Sequence, residues 1–334
     1  MNKIAPFIFG SFLLLLQAGA HGGSISFDPD GPGPKPPFQV TTFDWAPDNA
    51  LAQKATPISF GVPRSFTLYA QGRLSNFEDA SSSVITGTGL NTDYEITFQA
   101  GFGETALAIY SSSSDQVITF FSLNTASPVN FFRIYLDPAK DADKQTGDGY
   151  GNGILIMKGY ATSNTTNFLL DLNPGTMDPK TEDLDQSPNG NDQPGYGAVS
   201  GSGAGTLRGV ITWVNTDYVK VDLSTTILTM SFSTNHISPF QTIDPTGPAT
   251  ATAGVVGQIP NFGGAGVDGF NWVSGLNGPC QFGGTECDFL LSADAAMTFQ
   301  TAPRPVRSIP TLGLTAVALL GMLLAGAAAR RRLG

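Results

Sequence analysis

The amino-acid sequence predicts an all-β protein folded as an antiparallel β-sandwich. Short apolar runs with period-two alternation recur along the chain, and clusters of Gly, Asn, Asp, Ser and Pro separate them. No window between the two termini holds a convincing 3.6-residue pattern, which argues against helices in the body. The composition fits a folded core, because 41% of the 334 residues are hydrophobic and most of the 23 Phe would have to be buried.

Residues 1–20 are typical of a secretory signal peptide. Lys3 precedes an apolar run, and Ala18 and Ala20 then place small side chains before a cleavage site at His21. This segment predicts export through the Sec machinery.

The exported body is predicted to span residues 21–308 and to consist of strands from residue 38 onward. In the segment 94–100 large apolar side chains alternate with Glu, Thr and Gln, as a half-buried antiparallel strand requires. Thirteen strands fit either the two sheets of one domain or two smaller units, and the sequence leaves both open. The predicted strands are 38–45, 65–71, 94–100, 105–110, 116–123, 131–136, 153–160, 167–172, 207–214, 218–223, 226–232, 288–291 and 296–300.

The segment 173–205 interrupts this order. It is acidic, rich in Gly and Pro, and has hardly any large apolar side chain. Because it is too long for an ordinary connection, a mobile loop or a linker is predicted there.

The charge balance excludes one class of partner. The chain carries 17 Lys and Arg against 27 Asp and Glu, a formal net charge of −10. Nucleic-acid binding is excluded because it depends on a basic surface. An acidic exported surface is expected to stay soluble and to avoid anionic polysaccharide unless divalent cations bridge the two.

The two cysteines of the chain predict a disulfide. Cys280 and Cys287 are separated by six residues in a Gly-rich turn. Zinc sites usually pair their Cys more closely and add further ligands, so a bond between the two is expected in an exported chain.

One acidic turn is a candidate calcium site. Asp137, Asp141, Asp143 and Asp148 gather oxygen ligands beside several Gly, which suits a hard cation. The turn does not fit the EF-hand template, and solvated loop acids are the alternative. No other cofactor is predicted.

No catalytic motif is found in the sequence, so a non-enzymatic protein is expected. The sequence has no G-x-S-x-G, no H-E-x-x-H, no phosphate loop and no dinucleotide fingerprint. A glycosidase needs only two carboxylates at the right separation, which leaves a matrix glycosidase open. Trp45, Trp213 and Trp272 would favour a carbohydrate-binding module if they are exposed, whereas burial is their alternative fate.

The C-terminus predicts a membrane span. Residues 311–329 carry no charge, and as a helix they would measure roughly 28 Å, close to the hydrocarbon thickness of a bilayer. Arg330, Arg331 and Arg332 follow at once and are expected to stay in the cytoplasm, which leaves the body outside the inner membrane.

An Ile-Pro-Thr-Leu stretch precedes this span, formed by Ile309, Pro310, Thr311 and Leu312. With the apolar helix and the Arg cluster, residues 309–334 resemble the C-terminal sorting signal of exosortase-processed surface proteins of Gram-negative bacteria, the PEP-CTERM class and its Ile-Pro-Thr-Leu variant. The resemblance implies an inner-membrane intermediate, cleavage near Pro310 or Thr311 by an exosortase-like protease, and then display at the cell surface or in the extracellular matrix. A permanent anchor is the alternative.

Parts of the body are similar to flocculation-associated PEP-CTERM proteins. The similar segments are 43–45 with 49–52, 66–71, 147–156 and 288–295. This resemblance implies a structural role in an exopolysaccharide, biofilm or floc matrix with extracellular polysaccharide as a partner, and it supplies no catalytic residues.

Overall fold

The structure is a computed structural model that describes residues 23–56, 62–113, 115–143, 149–175, 180–185, 192–199, 201–235 and 287–301. These residues form strands and no helix, and all strand pairings are antiparallel, which confirms the predicted all-β class. The strands are β1 Ile25–Phe27, β2 Phe38–Val40, β3 Thr42–Thr56, β4 Arg64–Glu78, β5 Glu95–Ser113, β6 Gln116–Leu123, β7 Asn130–Asp137, β8 Ile154–Asp171, β9 Thr181–Asp185, β10 Asp192–Val199, β11 Gly201–Val214, β12 Val219–Lys220, β13 Thr226–Asn235 and β14 Cys287–Thr301.

The nine strands of the large sheet close on themselves. Hydrogen bonding runs from β3 through β4 and β5 to β6 and β7, then through β8, β11, β13 and β14 back to β3. The β8–β11 pairing extends from Gly201 opposite Leu170 to Val214 opposite Met157. Every strand of this sheet therefore has a neighbour on both sides, and the sheet has no free edge.

Strands β6 and β7 follow one another along the same side of β5, and both pair with β8 on their other side. Strand β5 pairs with β7 over residues 95–102 and with β6 over residues 104–113, and the turn 124–129 separates the two partners. Beside that turn the Asn130 amide donates to the Ala161 carbonyl at 2.9 Å and accepts from its N–H at 2.8 Å. The side chain thus continues the backbone pairing across the gap.

The predicted sandwich of two sheets is replaced by one sheet in a ring. Both arrangements bury alternate residues of each strand, so the alternation in the sequence does not distinguish them. The ring closes only if strands that are distant in sequence pair with each other. Here β3 pairs with β14, which lies at the opposite end of the body sequence.

Glycine within a strand explains one place where the predicted boundaries differ. The predicted strands 94–100 and 105–110 form the single strand β5. A Cβ at Gly101, between them, would lie 2.7 Å from the Phe131 ring and 2.9 Å from Tyr69. This glycine marks close packing inside a strand instead of a turn. Pairs of predicted strands are also joined in β8 and in β14, although no glycine lies between the joined segments there.

The segment 173–205, predicted as a loop, contains strands in the structure. Strands β9 and β10 pair with each other, and Ser202 to Gly205 pair with both β8 and β13. At the end of the segment, neighbouring strands leave no room for side chains: a Cβ at Gly201 would lie 2.6 Å from the Phe168 ring, and one at Gly205 would lie 2.9 Å from Phe232.

A small sheet of β12, β1 and β2 packs across the end of the ring at which β3 begins. Its central side chain, Phe27, is fully buried, and its ring centroid lies between 5.0 and 6.5 Å from those of Phe38, Phe43, Phe77 and Tyr94. The ring interior continues this core with alternate side chains of β3, β4, β5, β11, β13 and β14.

Several predicted features lie outside the described residues. They are the signal peptide 1–20 with its cleavage site, Cys280, Asp148, Trp272, and the C-terminal sorting residues with the span 311–329. The disulfide and the signal peptide therefore stay predictions. Over the part of the chain that is described, no helix has the length and apolar character needed to cross a membrane.

Candidate cation site on the outer face

The β7–β8 loop, residues 138–153, covers part of the outer face of the ring. Its residues 138–143 and 149–153 are described. Tyr150 of this loop is 2% exposed and donates its hydroxyl to the Asp48 carboxylate. Its carbonyl accepts a hydrogen bond from the Thr97 hydroxyl on β5 at 2.9 Å. These two bonds fix the loop against β3 and β5.

Asp48 reaches Tyr150 because β3 is irregular at this point. The pairing of β3 with β4 breaks between Trp45 and Ala50, and Asp48 lies in that break. Burial, followed by the Asp48 charge, raises the pKa of Tyr150, so the phenol keeps its proton and acts as the donor.

Three carboxylates meet at the edge of this loop, and we call them the acidic cluster. Glu95 begins β5 and pairs directly with Asp137, the last residue of β7, while Asp141 lies in the β7–β8 loop. One carboxylate oxygen from each residue lies within 4.8 Å of the other two. Glu95 is 1% exposed and Asp137 is 5% exposed, whereas Asp141 is exposed to solvent.

Only half of the buried oxygen atoms of the cluster have a donor. Glu95 Oε1 accepts from the Ala142 N–H at 2.8 Å, and Asp137 Oδ1 accepts from the Ala139 N–H at 2.7 Å. Glu95 Oε2 and Asp137 Oδ2 are buried without a hydrogen bond. A buried carboxylate oxygen without a partner is costly, so each is expected to have one in the native protein.

Electrostatics in the cluster disfavour three ionised carboxylates together. Burial raises the pKa of Glu95, and the Asp137 and Asp141 charges add to this, while the Ala142 N–H and Arg73 oppose it. Burial raises the pKa of Asp137 as well, with Asp141 contributing. Arg73 Nη1 lies 4.0 Å from Glu95 Oε2, which is beyond hydrogen-bond distance.

The cluster contains two residues of the predicted calcium site and adds a third. Asp137 and Asp141 were expected and are brought together, whereas Asp143 is exposed and is not among the three. Glu95 was missed, because it precedes Asp137 by more than forty residues and joins it only through the β5–β7 register. No local signal in the sequence pointed to it.

A second buried carboxyl lies on the inner face. Glu104 of β5 is 4% exposed and accepts hydrogen bonds from the Asn164 amide and, at 3.2 Å, from the Thr166 hydroxyl, both on β8. Burial raises the pKa of Glu104 to about 7, although both hydrogen bonds act in the opposite direction. The neighbouring ring interior is apolar, with a cavity of only about 40 Å³.

Two of the three tryptophans predicted to bind sugar differ in their exposure to solvent. Trp45 is 1% exposed, and its ring centroid lies 4.7 Å from that of Phe98 inside the core, so it is unavailable to a sugar. Trp213 is 39% exposed on the outside of β11, where Lys158 Nζ lies 5.6 Å from its ring centroid. Tyr160, two residues from Lys158 on β8, is 44% exposed.

Comparison with known proteins identifies the C-terminus. Residues 307–332 match the family model described as the IPTL-CTERM motif. This is a C-terminal sorting signal of the PEP-CTERM type, which confirms the resemblance of that segment. The motif implies export, a membrane-anchored intermediate before surface display, and processing by an exosortase-type membrane enzyme. No curated protein and no solved structure matches the chain.

Proposed function

We propose that the protein is a non-enzymatic structural protein of the bacterial cell surface or extracellular matrix. An exosortase-like protease cuts it near Pro310 or Thr311, and the all-β body is then displayed or released. The single observation that carries the proposal is the match of residues 307–332 to the sorting motif. The matrix is one of exopolysaccharide, as in a biofilm or a floc, and the cell is Gram-negative.

The body is consistent with a structural role. Nine of its described strands form a closed ring in which each strand is paired on both sides, which protects these strands from pairing with other chains outside the cell. The acidic cluster is poorly suited to a glycosidase, because its oxygen atoms lie within 4.8 Å and two of its carboxyls are buried. A glycosidase pair must flank a bound sugar with about 5 to 9.5 Å between carboxyls.

Processing is tested by fractionating cells and determining the C-terminus of the surface protein by mass spectrometry. We expect a new terminus near Pro310, loss of Arg332, and accumulation of the uncut form in Pro310→Ala. Pro303→Ala, which lies outside the matched motif, is the matched control and should be cut normally. An intact C-terminus on all of the surface protein would overturn the processing step and leave a permanent anchor.

A carbohydrate-binding module is the second candidate function, favoured by the exposed aromatic pair. Trp213 pairs directly with Lys158 across β11 and β8, which places Tyr160 diagonally within reach of the same ligand. Such a platform can stack on sugar rings. Glycan binding that Trp213→Ala abolishes would favour this function, provided that Leu223→Ala, an exposed apolar residue elsewhere, leaves binding intact.

A further inference from the structure

We propose that the acidic cluster of Glu95, Asp137 and Asp141 is a Ca²⁺ site. The proposal goes beyond the surface role and does not depend on it. Two independent observations carry it: three carboxylates converge within 4.8 Å, and Glu95 Oε2 and Asp137 Oδ2 are buried without any hydrogen-bond donor. A cation bound between them supplies the partner that both atoms lack.

The donor set selects a hard cation. All three side chains offer oxygen, and neither nitrogen nor sulfur ligands belong to the cluster. Ca²⁺ accepts six to eight oxygen ligands in flexible geometry, and water can complete the shell on the exposed side of Asp141. Mg²⁺ requires a near-ideal octahedron and releases its water reluctantly, which suits two buried carboxylates less well.

Asn152 gives the site a further possible ligand. Its Nδ2 lies 3.1 Å from both carboxylate oxygens of Asp141. Rotation of the amide by 180° would present Oδ1 in place of Nδ2, since the two ends have nearly the same shape. The chain therefore has a fourth oxygen available at the cluster without moving the backbone.

Charge also favours a divalent ion. When all three carboxylates are ionised around a bound ion, Arg73, which lies 4.0 Å from Glu95, offsets one of their charges and leaves two negative charges to be balanced. One Ca²⁺ neutralises them. Because Glu95 begins β5, Asp137 ends β7 and Asp141 belongs to the loop, the ion would connect two strands of the ring to the β7–β8 loop.

The test is calorimetric titration of the full-length chain, purified in detergent with a chelator and dialysed, with CaCl₂ and then with MgCl₂. Extracellular calcium sites have Kd values of about 0.1–1 mM, and we expect a value in that range. Glu95→Gln and Asp141→Asn should each raise the Kd at least about tenfold. Asp143→Asn, in the same loop but outside the cluster, is the matched control and should bind as the unmodified chain does.

Thermal unfolding gives a second measurement. A ligand that binds only the folded state raises Tm, and about 10 mM Ca²⁺ should raise it by a few degrees over chelator, and by clearly less in Asp141→Asn. If Glu95→Gln fails to fold, the exposed Asp141 decides the question. Any one of three results would overturn the proposal: the absence of saturable Ca²⁺ binding up to about 10 mM, an equal affinity for Mg²⁺, or an equal loss of Ca²⁺ affinity in Asp143→Asn.

Discussion

Replacement of Glu104 by Gln should change how the stability of the body depends on pH. Glu104 is 4% exposed and receives hydrogen bonds only from neutral groups, the Asn164 amide and the Thr166 hydroxyl, among those found around it. Burial raises the pKa of its carboxyl from 4.5 to about 7. Gln keeps the size and the acceptor oxygen but removes the titration.

The direction of this pH dependence follows from the number of protons that each state binds. Between pH 4.5 and about 7 the unfolded chain has released the Glu104 proton while the folded protein still holds it. The folded state therefore binds more protons, and the free energy of unfolding falls as pH rises through this window. The difference between these two pKa values corresponds to a loss of about 3 kcal/mol, and above the folded pKa the loss is constant.

Urea unfolding at several pH values measures this effect. The difference in unfolding free energy between Glu104→Gln and the unmodified chain should increase by about 3 kcal/mol from pH 4 to pH 8 in favour of the variant. Asp217→Asn, at an exposed position, is the control and should show no such trend. A difference that stays constant over this range would refute the inference that Glu104 is buried and protonated.

Two further substitutions test the ring and its end. Gly159→Ala should destabilise the protein by about 3 kcal/mol or more in urea unfolding, because its Cβ would overlap the Val210 carbonyl oxygen. Gly209→Ala is the control and should cost less, because its Cβ would lie 2.9 Å from its nearest atom. Equal losses of stability in the two variants would contradict the described packing. Phe27→Ala should lower the free energy of unfolding by about 3–5 kcal/mol in the same measurement. Phe120, which is 38% exposed, provides the control, and Phe120→Ala should cost under about 1 kcal/mol. Similar losses of stability in the two variants would contradict the central position of Phe27.

The sequence predicted the strands well where alternation was clear. Tyr94, Ile96 and Phe98 were expected inside and are 3%, 0% and 4% exposed. The opposite face was expected to meet solvent, yet Glu95 and Thr97 are also buried, because the β7–β8 loop packs over them. Periodicity reports which residues share a face, and it does not report what covers that face.

The candidate site was only half predictable for a related reason. Asp137 and Asp141 are four residues apart, so their proximity could be read from the sequence. Glu95 joins them through strand pairing, and pairing between distant segments leaves no local signal. The Gly-rich start of β11 was misread because the residues that fill the space beside it, such as Phe168, belong to another strand.

The seam between β3 and β14 has a consequence for the order of events during folding. It pairs Thr42 with Thr298, so β14 must be synthesised and must reach the same compartment before the ring can close. Contacts so distant in sequence form slowly, because a long chain has to be brought together first. Until then β3 and β13 would each present an unpaired edge to neighbouring chains. A chain that stops before residue 287 would keep those edges permanently and should aggregate.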